Sequence, residues 1–167
     1  ATPVSLFLEN APTTTWRLRG AVDYNFPANM TLAPLESVTI VGFDPQTDTT
    51  RFSDFRSAYS IPPTATVLGP WSGVLANAGD RIELLAPAPG MNESDQIAYV
   101  PAEIVSYQPI APWSTIPEGP AEVLSRIDFS GYAGDPAHWV NAFPTVGDRD
   151  DDQDKIGVAW VHIDDVI

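Results

Sequence analysis

The residues with the clearest capacity for chemistry are aspartates near the end of the chain. Residues 148–154 read DRDDDQD. Four of the acids alternate: Asp148, Asp150, Asp152 and Asp154. Calcium loops offer a hard cation several carboxylate oxygens in this way. EF-hand spacing is not met, since Gln153 stands where glycine is needed and Ala159 where the final glutamate is needed. The run therefore indicates either a calcium site or a solvated linker.

Three aromatic residues in predicted loops are candidates for contacting a ligand or a partner. They are Trp71, Trp113 and Tyr132. An exposed ring can stack on a sugar or anchor a protein partner. The alternative for the two tryptophans is that they close the ends of a core. Solvent exposure separates these interpretations, because a ring that closes a core is buried.

Motifs for nucleophilic, zinc-dependent or phosphate-binding catalysis are not found in the sequence. Cysteine is absent and the two histidines, His138 and His162, lie far apart, which argues against zinc. Ser72 lies in Pro-Trp-Ser-Gly, without the spacing of a nucleophile elbow. We therefore expect no catalytic residue, no enzymatic activity and no cofactor apart from the calcium considered above.

Charge limits the kinds of partner. The chain has 22 acidic residues against 8 Lys and Arg, a net charge of -14. Nucleic acids and anionic membranes are usually bound through basic surfaces, so both are disfavoured. No apolar run approaches the roughly 18 residues of a membrane span. The acidity and the single lysine favour an extracellular or cell-surface protein whose partners are other protein chains or domains, with carbohydrate as an alternative.

Short strands between turns must position these residues. Seventeen of the 167 residues are proline, about twice the usual share of roughly 5%. Alternating or β-branched runs predict strands at 4–8, 16–19, 37–41, 64–68, 81–85 and 99–107. Pro101 within the last run indicates an edge strand or a bulge. This pattern predicts an all-β protein, a sandwich or a barrel.

Helical signals are few. Phe52, Phe55 and Tyr59 form a helical stripe that Ser53 could cap, with prolines 62 and 63 ending it. Farther on, Asp135 followed by proline predicts an N-cap and a short helical turn.

The stretch before strand 81–85 has the composition of a tight turn. Asn77, Gly79 and Asp80 suit a hairpin, because Asn and Gly tolerate positive φ and Asp bonds nearby N–H groups. Ile82 and Leu84 would then face the core.

An ordered set of short motifs resembles one family. The motifs are TWRL at 15–18, FPANMTL at 26–32, FRSAY at 55–59, LGPWSGVLANAGDRIEL at 68–84, VSY at 105–107, PW at 112–113, LSRI at 124–127, DPAHW at 135–139 and PTVG at 144–147. Together they are similar to the lamin-tail domain family, in the form found on bacterial secreted and surface proteins.

The resemblance covers residues 4–147 and implies an immunoglobulin-like β-sandwich with one or two short helical turns and no catalytic residues. It also implies a module of a larger extracellular protein. The related domain of nuclear lamins serves protein and chromatin contacts, and the acidity argues against the chromatin part here. LFLEN at 6–10 resembles the family's first strand without the segment before it. We therefore expect an open sheet edge that either a neighbouring chain or an absent upstream segment covers.

These observations predict a lamin-tail-like domain over 1–147, followed by an acidic linker and a short apolar segment over 148–167. The expected function is structural: contact or assembly with other proteins. The alternatives are a carbohydrate-binding module and an accessory domain of a larger secreted enzyme.

Overall fold

The computed structural model describes residues 2–34, 36–91, 97–113, 123–142 and 160–161. Strands predominate and these ranges contain one α-helix, so the predicted all-β class is confirmed. The strands are β1 Val4–Ser5, β2 Phe7–Leu8, β3 Ala11–Thr15, β4 Arg17–Gly20, β5 Val22–Asn25, β6 Thr31–Leu32, β7 Val38–Ile40, β8 Thr66–Leu68, β9 Ser72–Gly73, β10 Asp80–Met91, β11 Ile97–Tyr107, β12 Val123–Arg126, β13 Trp139–Ala142 and β14 Trp160–Val161. Helix α1 is Thr49–Ala58, and a 3₁₀ turn covers Pro136–His138.

The largest sheet has five strands in the order β11-β10-β4-β5-β9. β10 pairs antiparallel with β11 on one side and with β4 on the other. Ile82 and Leu84 of β10 are buried, as their alternation predicts. On the opposite face of β10, Arg81 forms an ion pair with Glu83, 2.6 Å from Nε to Oε1.

β11 is an edge strand with a bulge, as Pro101 predicts. Glu103 pairs with Leu84, but the next residue of β10, Leu85, pairs with Pro101, so Ala102 is an extra residue in β11. Proline has no N–H to give to a ladder, which is why it is tolerated at such a position.

A second sheet, in the order β13-β12-β14, faces the first. The main core contains Ile82, Val105 and Tyr107 from the five-stranded sheet, and Leu124 and Trp139 from the second sheet. Two layers of strands with one apolar core between them are consistent with a β-sandwich. The immunoglobulin-like strand order stays a prediction.

A smaller core lies beside a parallel strand pair that sequence reasoning did not expect. β7 and β8 are parallel, and α1 lies between them in the chain. Parallel neighbours need a crossover connection, which this helix provides. Phe55 of α1 packs edge-on against Phe43, at 5.8 Å between ring centroids.

The prediction that Ser53 caps the helix is wrong. Asp48 is the N-cap, and its Oδ1 accepts a hydrogen bond from the Arg51 N–H at 3.1 Å. The helix begins four residues before Ser53 with a polar, exposed first turn, which the aromatic stripe does not reveal. The predicted end is confirmed, since the last helical residue is Ala58.

The turn at residues 76–79 exists, but the predicted hairpin does not. The Gly79 N–H donates to the Ala76 carbonyl at 3.1 Å, and Gly79 has φ +100. The strands on either side do not pair with each other, because β9 pairs with β5 while β10 pairs with β4 and β11. The turn therefore carries the chain from the far edge of the sheet back to its interior.

The predicted strand at 4–8 is two strands divided at Leu6. β1 pairs with β6 and β2 pairs with β3. Leu6 is buried between them; its N–H donates to the Met30 carbonyl, and its carbonyl accepts from the Trp16 N–H. One apolar residue thus links two strand pairs.

Candidate contact site

The site is built around Arg126, the last residue of β12. Its side chain is 2% exposed and forms an ion pair with Glu103 of β11, 2.5 Å from Nη1 to Oε1. Nε donates to the Asp128 carbonyl and Nη2 to the Gly131 carbonyl, both at 3.0 Å. One side chain therefore joins the two sheets and folds the connection that follows it. We call that connection, residues 127–138, the Arg126 loop.

Asp128 organises the first turn of the loop. Its carboxylate accepts hydrogen bonds from the Ser130 hydroxyl at 2.6 Å and from the Ser130 N–H at 2.7 Å. These bonds hold the pKa of Asp128 below its ordinary value, with smaller contributions from the nearby His138 and Arg126. Asp128 is consequently a negative charge on the rim of the loop at neutral pH.

The second half of the loop is held by hydrogen bonds to its backbone groups. The Tyr132 carbonyl accepts from the Asp135 N–H at 3.0 Å and lies 3.1 Å from Nδ1 of His138. Asp135 caps the 3₁₀ turn by accepting from the Ala137 N–H at 2.9 Å, which confirms the N-cap predicted there. Nε1 of Trp139 donates to the Ala133 carbonyl at 2.7 Å.

Glycine is required where the loop passes His138. A Cβ on Gly131 would lie 1.9 Å from Cε1 of His138. The imidazole cannot move freely, since it also contacts the Tyr132 carbonyl and lies 3.7 Å from the Asp128 carboxylate. The close approach of backbone to ring therefore depends on the absence of a side chain at this position.

A cavity of about 350 Å³ opens between the loop and β11. Its lining residues are Ala102, Glu103, Arg126, Phe129, Gly131, Tyr132 and Ala133. Arg126, the cation in the cavity wall, is neutralised by Glu103, and each of the three guanidinium nitrogens donates a hydrogen bond. The remaining wall is largely alanine and aromatic. Such a cavity suits an apolar side chain better than an anion.

Tyr132 stands at the mouth of this cavity and is 66% exposed. Its ring passes close to Gly134, where a Cβ would lie 2.4 Å from Cε1. The backbone below it is fixed by the two contacts to its carbonyl. Tyr132 is therefore an exposed aromatic side chain on an ordered support, which is how interface anchors are built.

Serine, aspartate and histidine meet in the loop, but not in a catalytic order. In acyl transfer the serine donates to the imidazole and the aspartate lies behind it. Here the Ser130 hydroxyl donates to Asp128, and His138 lies on the other side of that carboxylate. The Ser130 proton is therefore directed to the Asp128 carboxylate, which is not the arrangement of a catalytic triad.

The other two predicted contact residues lie elsewhere. Trp113 is 7% exposed in the main core, 6.2 Å between ring centroids from Trp139. Trp71 is half-buried against the same core, beside Gly42. Neither tryptophan lines the cavity at Tyr132. The structure thus does not bring the three rings into one aromatic groove.

The four candidate calcium ligands, Asp148, Asp150, Asp152 and Asp154, lie outside the described residues, and calcium binding stays a prediction. Within the ranges that the structure covers, no group of three or more His, Asp and Glu side chains is arranged to hold a metal ion.

Sequence reasoning missed Arg126 and Glu103. A signal was present: Leu124 and Arg126 lie two apart in one strand and therefore on one face. Leu124 is buried, so Arg126 points into the protein too. A charged residue on the inner face of a strand needs a buried partner. The sequence does not identify that partner, because Glu103 is in another sheet.

No helix in the described part of the chain is long and apolar enough to cross a membrane. No family model, no curated protein and no solved structure matches the chain.

Proposed function

We propose that this chain is a non-catalytic module that makes protein–protein contacts in an extracellular or cell-surface setting. Its contact surface is the Arg126 loop together with the neighbouring part of β11. The observation that carries the proposal is Tyr132, an exposed aromatic ring beside a cavity at the edge of a sheet. Aromatic anchors next to small apolar pockets supply much of the binding free energy at protein interfaces.

The edge strand supports the same surface. β11 has 11 residues, and among the described strands it pairs with β10 alone. Val100 on this edge is 50% exposed. The bulge and Pro101 interrupt the row of backbone N–H and C=O groups on the outer edge of β11, and such interruptions limit edge-to-edge pairing. Pairing with a partner strand is therefore confined to one side of the bulge, and side chains supply the rest of the contact.

Charge favours a basic partner. Asp128 and Asp135 lie on the rim of the loop, whereas Glu103 is neutralised by Arg126. The whole chain carries a net charge of -14. A partner that carries Lys and Arg around an apolar side chain would complement the negative charge of this rim. A second copy of the chain would instead bring like charges together.

The resemblance to lamin-tail domains supports a contact role as well. That family is composed of modules without catalytic residues, and the loop motif DPAHW, which carries part of the resemblance, forms the capped end of the proposed surface. Membership of the family is itself part of this proposal.

Site-specific photo-crosslinking tests the proposal in the cells that naturally make the protein. A photoreactive phenylalanine analogue is placed at Tyr132, at Val100 and, as a control, at Val74. Val74 is 62% exposed and follows β9, at the opposite edge of the sheet. We expect discrete protein adducts from positions 132 and 100 and none from 74. Adducts of equal yield at all three positions, or none at 132, would overturn the assignment.

A further inference from the structure

A second arginine, Arg17, has a different environment. Several arginines in the described ranges donate side-chain hydrogen bonds: Arg19, Arg56, Arg81 and Arg126. The guanidinium of Arg17 donates none to any residue that the structure describes, and its Nε is buried without a partner. A buried donor without an acceptor is unfavourable in a folded protein, so it calls for a functional or structural reason.

Arg17 is nevertheless held in place. Its Cζ lies 3.4 Å from the centroid of the Tyr99 ring. The Tyr99 hydroxyl donates to the Thr15 carbonyl at 3.3 Å, which fixes the ring. The two residues lie on strands either side of β10, where Leu85 pairs with Arg17 and Pro87 pairs with Tyr99. The guanidinium is thus ordered by stacking rather than by hydrogen bonds.

Among the described residues, no neighbouring charge neutralises Arg17. Arg19, two residues along the same face of β4, bonds Asn25 at 2.6 Å and lies 3.9 Å from the Asp23 carboxylate. No carboxylate of the described residues lies within 4.0 Å of Arg17. The chain has 22 acidic residues, so this is not caused by a shortage of carboxylates.

We propose that Arg17, ordered by Tyr99, is a docking point for one carboxylate of an acidic peptide. A guanidinium presents a planar fork of donors that matches a carboxylate. Tyr99 covers one face of the guanidinium and Nε is buried, so the ligand approaches in the plane of the group and meets the two terminal nitrogens. A peptide is favoured over an acidic sugar because the guanidinium covers the face of Tyr99 beside the fork, so a sugar bound to Arg17 could not also stack on that face. Tyr99 is next to Val100 of the proposed contact surface in β11, but the site includes no residue of the Arg126 loop and does not depend on the function proposed for that loop.

Nuclear magnetic resonance of the arginine Nε–Hε groups tests the inference on the wild-type protein. The probe is N-acetylglutamate methylamide, and the matched control is N-acetylglutamine methylamide, which has the same shape and no carboxylate. We expect a saturable shift of the Arg17 resonance with the first compound and none with the second. An equal response to both, or an unsaturable shift shared by all exposed arginines, would overturn the proposal.

Two variants sharpen the result. Arg17→Lys keeps the charge and loses the fork, so binding followed at the Leu18 amide should weaken by about tenfold, the loss of one charge-assisted hydrogen bond. Arg81→Gln removes an exposed arginine of the same sheet that already pairs with Glu83, and binding should not change. Unchanged binding to Arg17→Lys contradicts the proposal. Tighter binding of glucuronate than of the glutamate compound overturns the peptide assignment.

Discussion

Arg126 and Arg17 both lie against aromatic rings, yet their surroundings differ. Arg126 lies 4.7 Å from the centroid of Phe129, is paired with Glu103 and donates to two backbone carbonyls of the loop that follows it. Arg17 is stacked on Tyr99, and its Nε has no acceptor. Arg126 therefore holds the loop in place, whereas we propose that the donors of Arg17 bind a ligand. Arg126 is buried and Arg17 is half-buried. They differ further in their donors, because every guanidinium nitrogen of Arg126 donates a hydrogen bond, whereas Arg17 donates none to a described residue.

Removal of Arg126 should have the largest effect. Arg126→Met leaves the Glu103 carboxylate largely buried without its cation and removes three hydrogen bonds. Breaking a buried pair in this way costs about 3–5 kcal/mol. The unfolding free energy from urea titration is the measurement. The double variant Arg126→Met/Glu103→Leu is the control, because it removes the Glu103 carboxylate together with its cation and should recover part of the loss.

A methyl group at residue 131 should produce the next largest effect. Gly131→Ala forces the loop away from the His138 ring, and overpacking of this kind costs about 1–3 kcal/mol. Gly134→Ala is the matched control, since its Cβ would meet the exposed ring of Tyr132, which can move aside. Equal losses in thermal stability would show that the contact with His138 does not matter.

Tyr107 connects the core to the turn at residues 76–79 and should make stability pH-dependent. Burial, and to a smaller extent the charge of Asp80, raises the pKa of the Tyr107 phenol above its ordinary value. The neutral form is therefore favoured in the folded state. Its contribution is complete below about pH 10, where an unfolded tyrosine begins to ionise, and is lost at higher pH.

The variant Tyr107→Phe removes this dependence. It loses the hydrogen bond from the hydroxyl to the Ala76 carbonyl, so we expect a loss of about 1 kcal/mol at neutral pH. Above about pH 10 its unfolding free energy should fall less steeply than that of the wild type. Parallel alkaline unfolding curves for the two proteins would contradict this account of Tyr107.

Tyr132 should have the smallest effect on stability. Its side chain is exposed, so Tyr132→Ala should change the unfolding free energy by less than about 0.5 kcal/mol. It should nevertheless reduce adduct formation from the photoreactive group at Val100. A large loss of stability would mean that the ring supports the loop rather than a partner.

Local patterns allowed much of the fold to be predicted. Alternation in β10 placed Ile82 and Leu84 inward, Pro101 marked the bulge, and Asp135 marked a cap, because each depends on neighbours within a few residues. The parallel pair β7 and β8 was not predicted, since strand pairing depends on distant segments.

The candidate site was only partly accessible from the sequence. Tyr132 was recognised as a loop aromatic, and the structure shows it exposed. The ion pair of Arg126 with Glu103 and the stack of Arg17 on Tyr99 join residues that are far apart in the chain. No local pattern specifies such pairs, so they require the three-dimensional structure.

The unfolding free energies of Arg17→Met and Arg126→Met, measured side by side in urea, test the central comparison most directly. Arg17→Met removes a donor without an acceptor, and the lost stacking is worth about 0.5–1 kcal/mol, so the protein should change by no more than about 1 kcal/mol. Arg126→Met should lose several times as much. Equal losses in the two variants would contradict the claim that one arginine builds the protein while the other is held for a ligand.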